Sequence, residues 1–169
     1  MTITTRMLCC SMLVGATLLA APRVWAQTDD DKKFVAAAAQ GDRNEIALSE
    51  LAEQKATNPA VKAFASRMVR EHKEMTESMK PFAEKWGMNP PVDVDSDHKK
   101  ELDKLNGLSG HDFDKEYMDA MVSDHSDALD AFTKEAKDTK VAPFKAAVLK
   151  GKTRVAAHKN MAYDLKKKL

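Results

Sequence analysis

The stretch Met68-Val69-Arg70-Glu71-His72-Lys73-Glu74-Met75 determines how the rest of this 169-residue chain is interpreted. Met68, His72 and Met75 recur at intervals of three to four residues, which predicts that they share one face of a helix. Methionine on such a face is ordinary core filling, whereas a buried imidazole needs a hydrogen-bond partner or a ligand. A partner for His72 must therefore come from another part of the chain.

The segments on either side of this stretch predict an all-α protein. Apolar residues recur at helical spacing over about residues 30–56, 59–86, 109–138 and 142–168, and we expect a long helix in each segment. Runs of β-branched residues, which are typical of strands, are lacking. Asn58 and Pro59 are typical of the start of a helix, and Gly87 is typical of the residue that follows one.

The connection between the second and third long helices is longer than a turn. It begins with the extended tripeptide Asn89-Pro90-Pro91 and continues with apolar residues at helical spacing. We expect a short helix there, capped near Asp95 or Ser96. A connection of this length favours a crossover along a bundle. Residues 27–169 are therefore predicted to form one four-helix bundle domain with a short extra helix in the crossover connection.

The first 26 residues have the composition of a secretory signal peptide. Arg6 is followed by an uncharged apolar run from Met7 to Ala20, and Val24-Trp25-Ala26 is compatible with cleavage after Ala26. The run is shorter than the roughly 20 apolar residues of a membrane span. We therefore expect a periplasmic or secreted protein without stable membrane insertion after cleavage. Retention of this segment as an N-terminal anchor is the alternative.

The composition excludes several kinds of chemistry. The two cysteines, Cys9 and Cys10, lie inside the predicted signal peptide, so the exported chain would carry neither a disulfide nor a cysteine nucleophile. The 27 basic and 26 acidic residues nearly balance, which argues against nucleic acid as a partner. A glycine-rich phosphate loop and a Gly-x-Ser-x-Gly motif are both missing from the sequence.

Four inward positions near the middles of the long helices carry side chains that bind metals. They are Glu45, His72, His125 and His158. Because packed helices of similar length keep their middles at one level, we expect these side chains to converge in one layer of the bundle, with His98 of the short helix at its edge. Imidazole and carboxylate ligands suit Zn, Fe or Cu, so the sequence predicts one transition-metal ion in this layer.

Two alternatives stay open for these residues. Each histidine can instead be a core residue hydrogen-bonded to a neighbour, and a modest helix rotation would turn Glu71 or Asp124 inward. Methionines also lie about one turn from the histidines, and a thioether beside an imidazole favours Cu(I). In either arrangement, histidines buried as neutral rings would become charged below about pH 6 and loosen the bundle.

Two strings carry a resemblance to a known family. Asn58-Pro59-x-Val61-Lys62-x-Phe64-Ala65-x-x-Met68-Val69-x-x-His72 and Met121-Val122-x-Asp124-His125 are similar to the domain-of-unknown-function family 4142. The resemblance covers the chain from Lys32 to Asp164. It implies an exported bacterial protein with a ferritin-like four-helix bundle, and it brings no established activity with it.

Ferritin-like di-iron proteins bind their metals through Glu-x-x-His motifs. In this chain Val69, Val122 and Val155 stand three residues before the histidines, so di-iron enzyme activity is not expected. We expect a non-enzymatic protein that handles a metal ion or serves in envelope stress. The alternative is a structural or interaction module whose protein partner the sequence does not identify. An enzyme would require a pocket that reaches the histidine layer from solvent.

Overall fold

The computed structural model describes residues 26–169. Residues 1–25, which make up nearly all of the predicted signal peptide, lie outside the described residues. The described part of the chain forms five helices and no strand: α1 (Asp29–Lys55), α2 (Pro59–Lys85), α3 (Ser96–Asn106), α4 (Gly110–Asp138) and α5 (Ala142–Lys166). The prediction of an all-α bundle with a short helix in the crossover is confirmed. Within this region no helix is long and apolar enough to cross a membrane.

Local sequence chemistry sets the helix ends. Thr28 caps α1 by accepting a hydrogen bond from the Asp31 backbone, and the Asp31 carboxylate accepts one from the Thr28 backbone in return. Asn58 caps α2, with Pro59 at its first position as predicted. Gly87 follows α2 with a φ of 68°, a left-handed conformation that a residue without Cβ adopts freely.

The four long helices pack as two hairpins. Short connections join α1 to α2 and α4 to α5, while the crossover between α2 and α4 carries α3 against α1 and α4. α1 also packs against α4, and α2 against α5. α1 and α4 run antiparallel, since Phe34 near the start of α1 contacts Phe132 near the end of α4, at a ring-centroid distance of 4.9 Å.

The hydrophobic core is divided into two clusters along the bundle axis. One cluster lies towards the α1–α2 turn and includes Leu48, Met68, Met121 and Tyr117. The other lies towards the opposite end; it includes Phe34, Met75, Trp86, Phe132 and Phe144. On each long helix, buried polar residues separate the contributions to the two clusters. The middle of the bundle is therefore a buried polar layer.

Candidate metal centre

Three helices bring three imidazole rings together in the polar layer. His72 of α2, His125 of α4 and His158 of α5 are 4%, 1% and 0% exposed. His125 Nε2 lies 3.4 Å from His72 Nε2 and 3.3 Å from His158 Nδ1. One nitrogen from each ring lies within 4.8 Å of the other two. The three nitrogens thus surround a common point in the core.

The two distances from His125 Nε2 are those of ligands around one small ion. Two ligands bound tetrahedrally to zinc or a similar ion, with metal–nitrogen bonds of roughly 2.0–2.1 Å, lie about 3.3–3.4 Å apart. Both contacts made by His125 Nε2 fall in this range. Two of the three nitrogen pairs therefore already have the spacing of ligands bound to a single ion.

The other nitrogen of each ring contacts an oxygen atom. His72 Nδ1 lies 2.8 Å from Asp42 Oδ1, His125 Nδ1 lies 2.8 Å from the Met121 carbonyl oxygen, and His158 Nε2 lies 2.7 Å from Glu71 Oε2. Histidines that bind metals nearly always donate their second N–H to a carboxylate or a carbonyl, which fixes the tautomer and the ring orientation. In all three rings the second nitrogen lies within hydrogen-bond distance of such an oxygen.

These oxygens determine which nitrogens carry lone pairs. The Met121 carbonyl can only accept, so His125 Nδ1 carries the proton and Nε2 presents a lone pair. Glu71 accepts in the same way from His158 Nε2, which leaves a lone pair on His158 Nδ1. The two lone pairs face each other across 3.3 Å with no hydrogen between them. A cation shared by the two rings would turn this repulsion into attraction.

Burial keeps the rings uncharged near neutral pH. It lowers the pKa of His72 to about 4 and that of His158 to about 4. Burial, reinforced by the two neighbouring imidazoles, lowers the pKa of His125 to about 3. For Glu71 burial acts in the raising direction, but the hydrogen bond from His158 and the charge of Arg67 outweigh it, so the pKa of Glu71 is lowered. The lone pairs are therefore available to a metal across the neutral range.

Asp42 is a site residue that the sequence-based hypothesis did not include. It lies at the middle of α1, where its carboxyl contacts His72 and also accepts a hydrogen bond of 3.0 Å from Thr76. Burial raises the pKa of Asp42 to about 7. Its position one turn before Glu45, on the same face of α1, was the available sequence signal. Glu71 had been considered as an inward alternative, and it supports His158.

Glu45, predicted as a ligand, and His98, predicted at the edge of the layer, lie outside the converging group. Glu45 Oε1 is 3.6 Å from His125 Nδ1, the nitrogen that faces away from the other two rings. His98 lies on α3, where Nδ1 is 2.9 Å from Asp95 and Nε2 is 3.7 Å from Asp124. Asp124 and Asp95, against a lowering by burial, raise the pKa of His98 to about 9. His98 is therefore the charged partner of two carboxylates.

A cavity of about 430 Å³ lies between α1 and α4 and extends to His72 and His125. Its rim includes the exposed residues Ala37, Asp127 and Ala131, so it is continuous with solvent. His158 does not line it. One side of the histidine group is thus accessible from outside the bundle.

Comparisons with known proteins agree with this fold. The family model described as Domain of unknown function (DUF4142) matches residues 17–165. No curated protein matches the sequence. A DUF305 fragment from Deinococcus radiodurans superposes with a TM-score of 0.71 at 14% identity, over 84% of this chain and 98% of that one.

Two solved structures of CopM are also similar. Its Cu(II)-bound form has a TM-score of 0.69 at 20% identity and covers 82% of this chain and 96% of that chain. Its Cu(I)-bound form has a TM-score of 0.69 at 20% identity and covers 85% and 98%. At these identities the likeness establishes a shared fold.

Proposed function

The chain belongs to the family DUF4142, and we propose that it uses this family's bundle to bind one transition-metal ion through His72, His125 and His158. The observation that carries the proposal is the 3.3 Å contact between His125 Nε2 and His158 Nδ1. Both atoms present lone pairs, because the second nitrogen of each ring donates to an oxygen atom. A metal ion is the partner that satisfies three inward-facing imidazoles at once.

We further propose copper as the physiological ion. Neutral imidazole is a good ligand for copper, and the affinity of nitrogen sites for divalent first-row metals is highest for Cu²⁺. CopM, which shares the fold, has been solved in Cu(I)-bound and Cu(II)-bound forms. The two flanking methionines of α2, Met68 and Met75, are buried in the two core clusters on either side of the ring layer. The donor set therefore rests on imidazole nitrogen.

The cellular role we propose is metal handling or tolerance of envelope stress outside the cytoplasm. The predicted signal peptide, residues 1–26, supports export. The alternative from the sequence, a structural module with ordinary core histidines, accounts for the three outer hydrogen bonds. It leaves the inner lone pairs of His125 and His158 opposed, and for that reason we favour the metal site.

The direct test is metal analysis of protein that has been exported by its host and purified without a histidine tag. We expect one equivalent of copper per chain after loading, with nitrogen hyperfine structure from imidazole in the electron paramagnetic resonance spectrum of the Cu²⁺ form. His125→Gln should lose stoichiometric binding. His111→Gln, which alters an exposed histidine of α4, is the matched control and should retain it. Absence of stoichiometric Cu, Zn or Fe under any loading condition would refute the proposal.

A further inference from the structure

The cavity between α1 and α4 has an acidic lining. Five of the described residues that line it carry carboxyl groups, and the lining includes no lysine or arginine. The five are Asp42, Glu45, Asp95, Asp124 and Asp127. His98 is the one charged base among these lining residues, and Asp95 and Asp124 already pair with it. Burial raises the pKa of Asp42 to about 7 and that of Glu45 well above its usual range, so the negative potential of the cleft comes mainly from Asp95, Asp124 and Asp127, which together exceed the single charge of His98.

The opposite side of the histidine group carries three arginines. Glu71, which receives the hydrogen bond from His158, also accepts from Arg67 at 2.8 Å and from Arg70 at 3.2 Å. Arg154 of α5 donates to Glu74 of α2 at 2.7 Å and so ties these two helices together. A cation approaching along the α2–α5 seam would meet three guanidinium groups and the two carboxylates of Glu71 and Glu74 that pair with them, a net positive charge. The two sides of the site differ in charge and in accessibility.

Glu45 links the cleft to the histidines. Its side chain is buried, with the residue 5% exposed, and lines the cavity, while Oε1 lies 3.6 Å from the ring of His125. Oε2 is buried and has no hydrogen-bond partner among residues 26–169. A buried carboxyl oxygen without a hydrogen-bond partner is costly unless a cation or a polar ligand reaches it. This oxygen therefore marks a point in the cleft where a cation would be stabilised.

We propose that the acidic cleft between α1 and α4 is the route by which a metal cation reaches the three histidines, and that Glu45 binds the ion in transit. This inference rests on the proposed function of the histidine group. A low-dielectric cleft lined by one sign of charge raises the local concentration of the opposite ion and accelerates its association. Glu45 lies on the far side of His125 from the other two rings, so it can bind an ion on the way without belonging to the final ligand set.

Gly41 offers a way to obstruct the cleft without disturbing the core. It lines the cavity, and a Cβ built at this position would meet no atom within 4 Å. Gly41→Leu therefore places a side chain in the open space of the cleft. Ala36→Leu, which adds the same side chain to an exposed position of α1 outside the cavity lining, is the matched control.

The experiment measures the rates of metal uptake and release as well as the affinity at equilibrium. Metal-free protein is mixed with Co²⁺ or Cu²⁺ in a stopped-flow spectrometer, and the ligand-field absorption is followed. Release is then started with an excess of chelator. For Gly41→Leu we expect uptake and release to slow by a similar factor, about ten-fold or more, with an unchanged dissociation constant. Ala36→Leu should behave as wild type.

The variant Glu45→Gln tests whether Glu45 binds the metal ion only during its entry or also in the final site. We expect slower uptake and a dissociation constant close to that of wild type. A large loss of equilibrium affinity would instead place Glu45 in the final ligand set and overturn its transit role. Circular dichroism melting of each variant shows whether the bundle is intact.

Other outcomes also decide between the possibilities. If wild type binds metal and Gly41→Leu takes it up at the wild-type rate, the cleft is not the route, although the proposed function stands. If Arg154→Gln accelerates uptake while Gly41→Leu has no effect, the ion enters along the α2–α5 seam. If wild type binds no metal at equilibrium, the proposed function itself fails.

Discussion

His158 of α5 donates its Nε2 proton to the Glu71 carboxylate of α2 across 2.7 Å, and this one contact leaves Nδ1 as the nitrogen that faces His125. Glu71 is itself held by Arg67 and Arg70, so the orientation of a buried ring on one helix is fixed from the surface of another. The supporting residues therefore determine which lone pairs reach the centre.

Glu71→Gln should weaken metal binding while preserving the shape of the site. The amide oxygen can still accept from His158, but the negative charge that makes the ring a better ligand is lost. Supporting substitutions of this kind typically reduce metal affinity by about 10–100-fold. Competition titrations with a chelator would measure the loss. Glu74→Gln, one turn along α2 and paired with Arg154, is the control; an equal loss in both variants would contradict a specific role for Glu71.

His125→Leu should abolish metal binding without destabilising the metal-free protein. Leucine fills a similar volume, and it removes the lone pair that opposes Nδ1 of His158. Replacing buried polar groups by apolar ones is often neutral or stabilising, so we expect the free energy of unfolding to be unchanged or higher by roughly 0–2 kcal/mol. Urea denaturation with and without metal measures both effects. A large destabilisation of the metal-free variant would indicate that His125 has a structural role.

Between about pH 4 and 6.5 the metal-free protein should change little in stability. The three histidines have a folded-state pKa below the usual value near 6.5, so their contribution to the stability of the folded state is lost as pH falls through this window. Burial raises the pKa of Asp42 to about 7 and that of Glu45 well above its usual range. These two carboxyls have the opposite effect on stability, since they stabilise the folded state increasingly as pH falls.

Asp42→Asn removes one of the compensating carboxyls. The loosening below about pH 6 that the sequence predicts for buried neutral histidines should then become visible. The free energy of unfolding, measured by urea titration at several pH values, is expected to fall more steeply towards acid in the variant than in wild type. Superimposable pH profiles for the two proteins would show that Asp42 does not offset the histidines.

His98 predicts a second pH dependence, in the alkaline range. Asp124 and Asp95 raise its folded-state pKa to about 9, above the unfolded value near 6.5. Its contribution to stability is therefore fully present below pH 6.5 and is lost as pH rises through 9. His98→Gln should destabilise the protein at pH 6 and have little effect at pH 10. An equal loss of melting temperature at both pH values would exclude the ion pairs as the cause.

Substitution by alanine at two helical glycines should change the stability of the protein in opposite directions. At Gly151 of α5 an added Cβ would overlap the Phe132 ring, so Gly151→Ala must displace a core aromatic and should cost roughly 1–3 kcal/mol. At Gly41 of α1 it would meet nothing within 4 Å, so Gly41→Ala should stabilise the helix by about 0.5–1 kcal/mol. Thermal melts of the two variants measure both changes. Similar shifts in the same direction would contradict this account.

Helical periodicity was sufficient to predict the architecture and the convergence of His72, His125 and His158. Each of these positions continues an apolar stripe, so the face on which it lies follows from the sequence. A rotation of tens of degrees about a helix axis decides which polar residue of a face reaches the centre of the layer, and the sequence does not fix that rotation. For this reason the sequence-based hypothesis omitted Asp42 and placed Glu45 among the metal ligands. The partners of His98 include Asn44 from α1, 54 residues away, and a contact of that kind leaves no local pattern in the sequence.

The division of the core into two hydrophobic clusters affects how the protein comes apart. Each long helix contributes residues to both clusters, and the histidine layer lies between the two clusters at the middle of the bundle. Buried polar residues interrupt the apolar core at that level, so an ion shared by α2, α4 and α5 would strengthen the coupling between the two halves. Amide hydrogen exchange should then reveal two protection zones in metal-free protein and one in the metal-bound form. In this fold a bound ion would also stabilise the bundle by linking three of its four long helices.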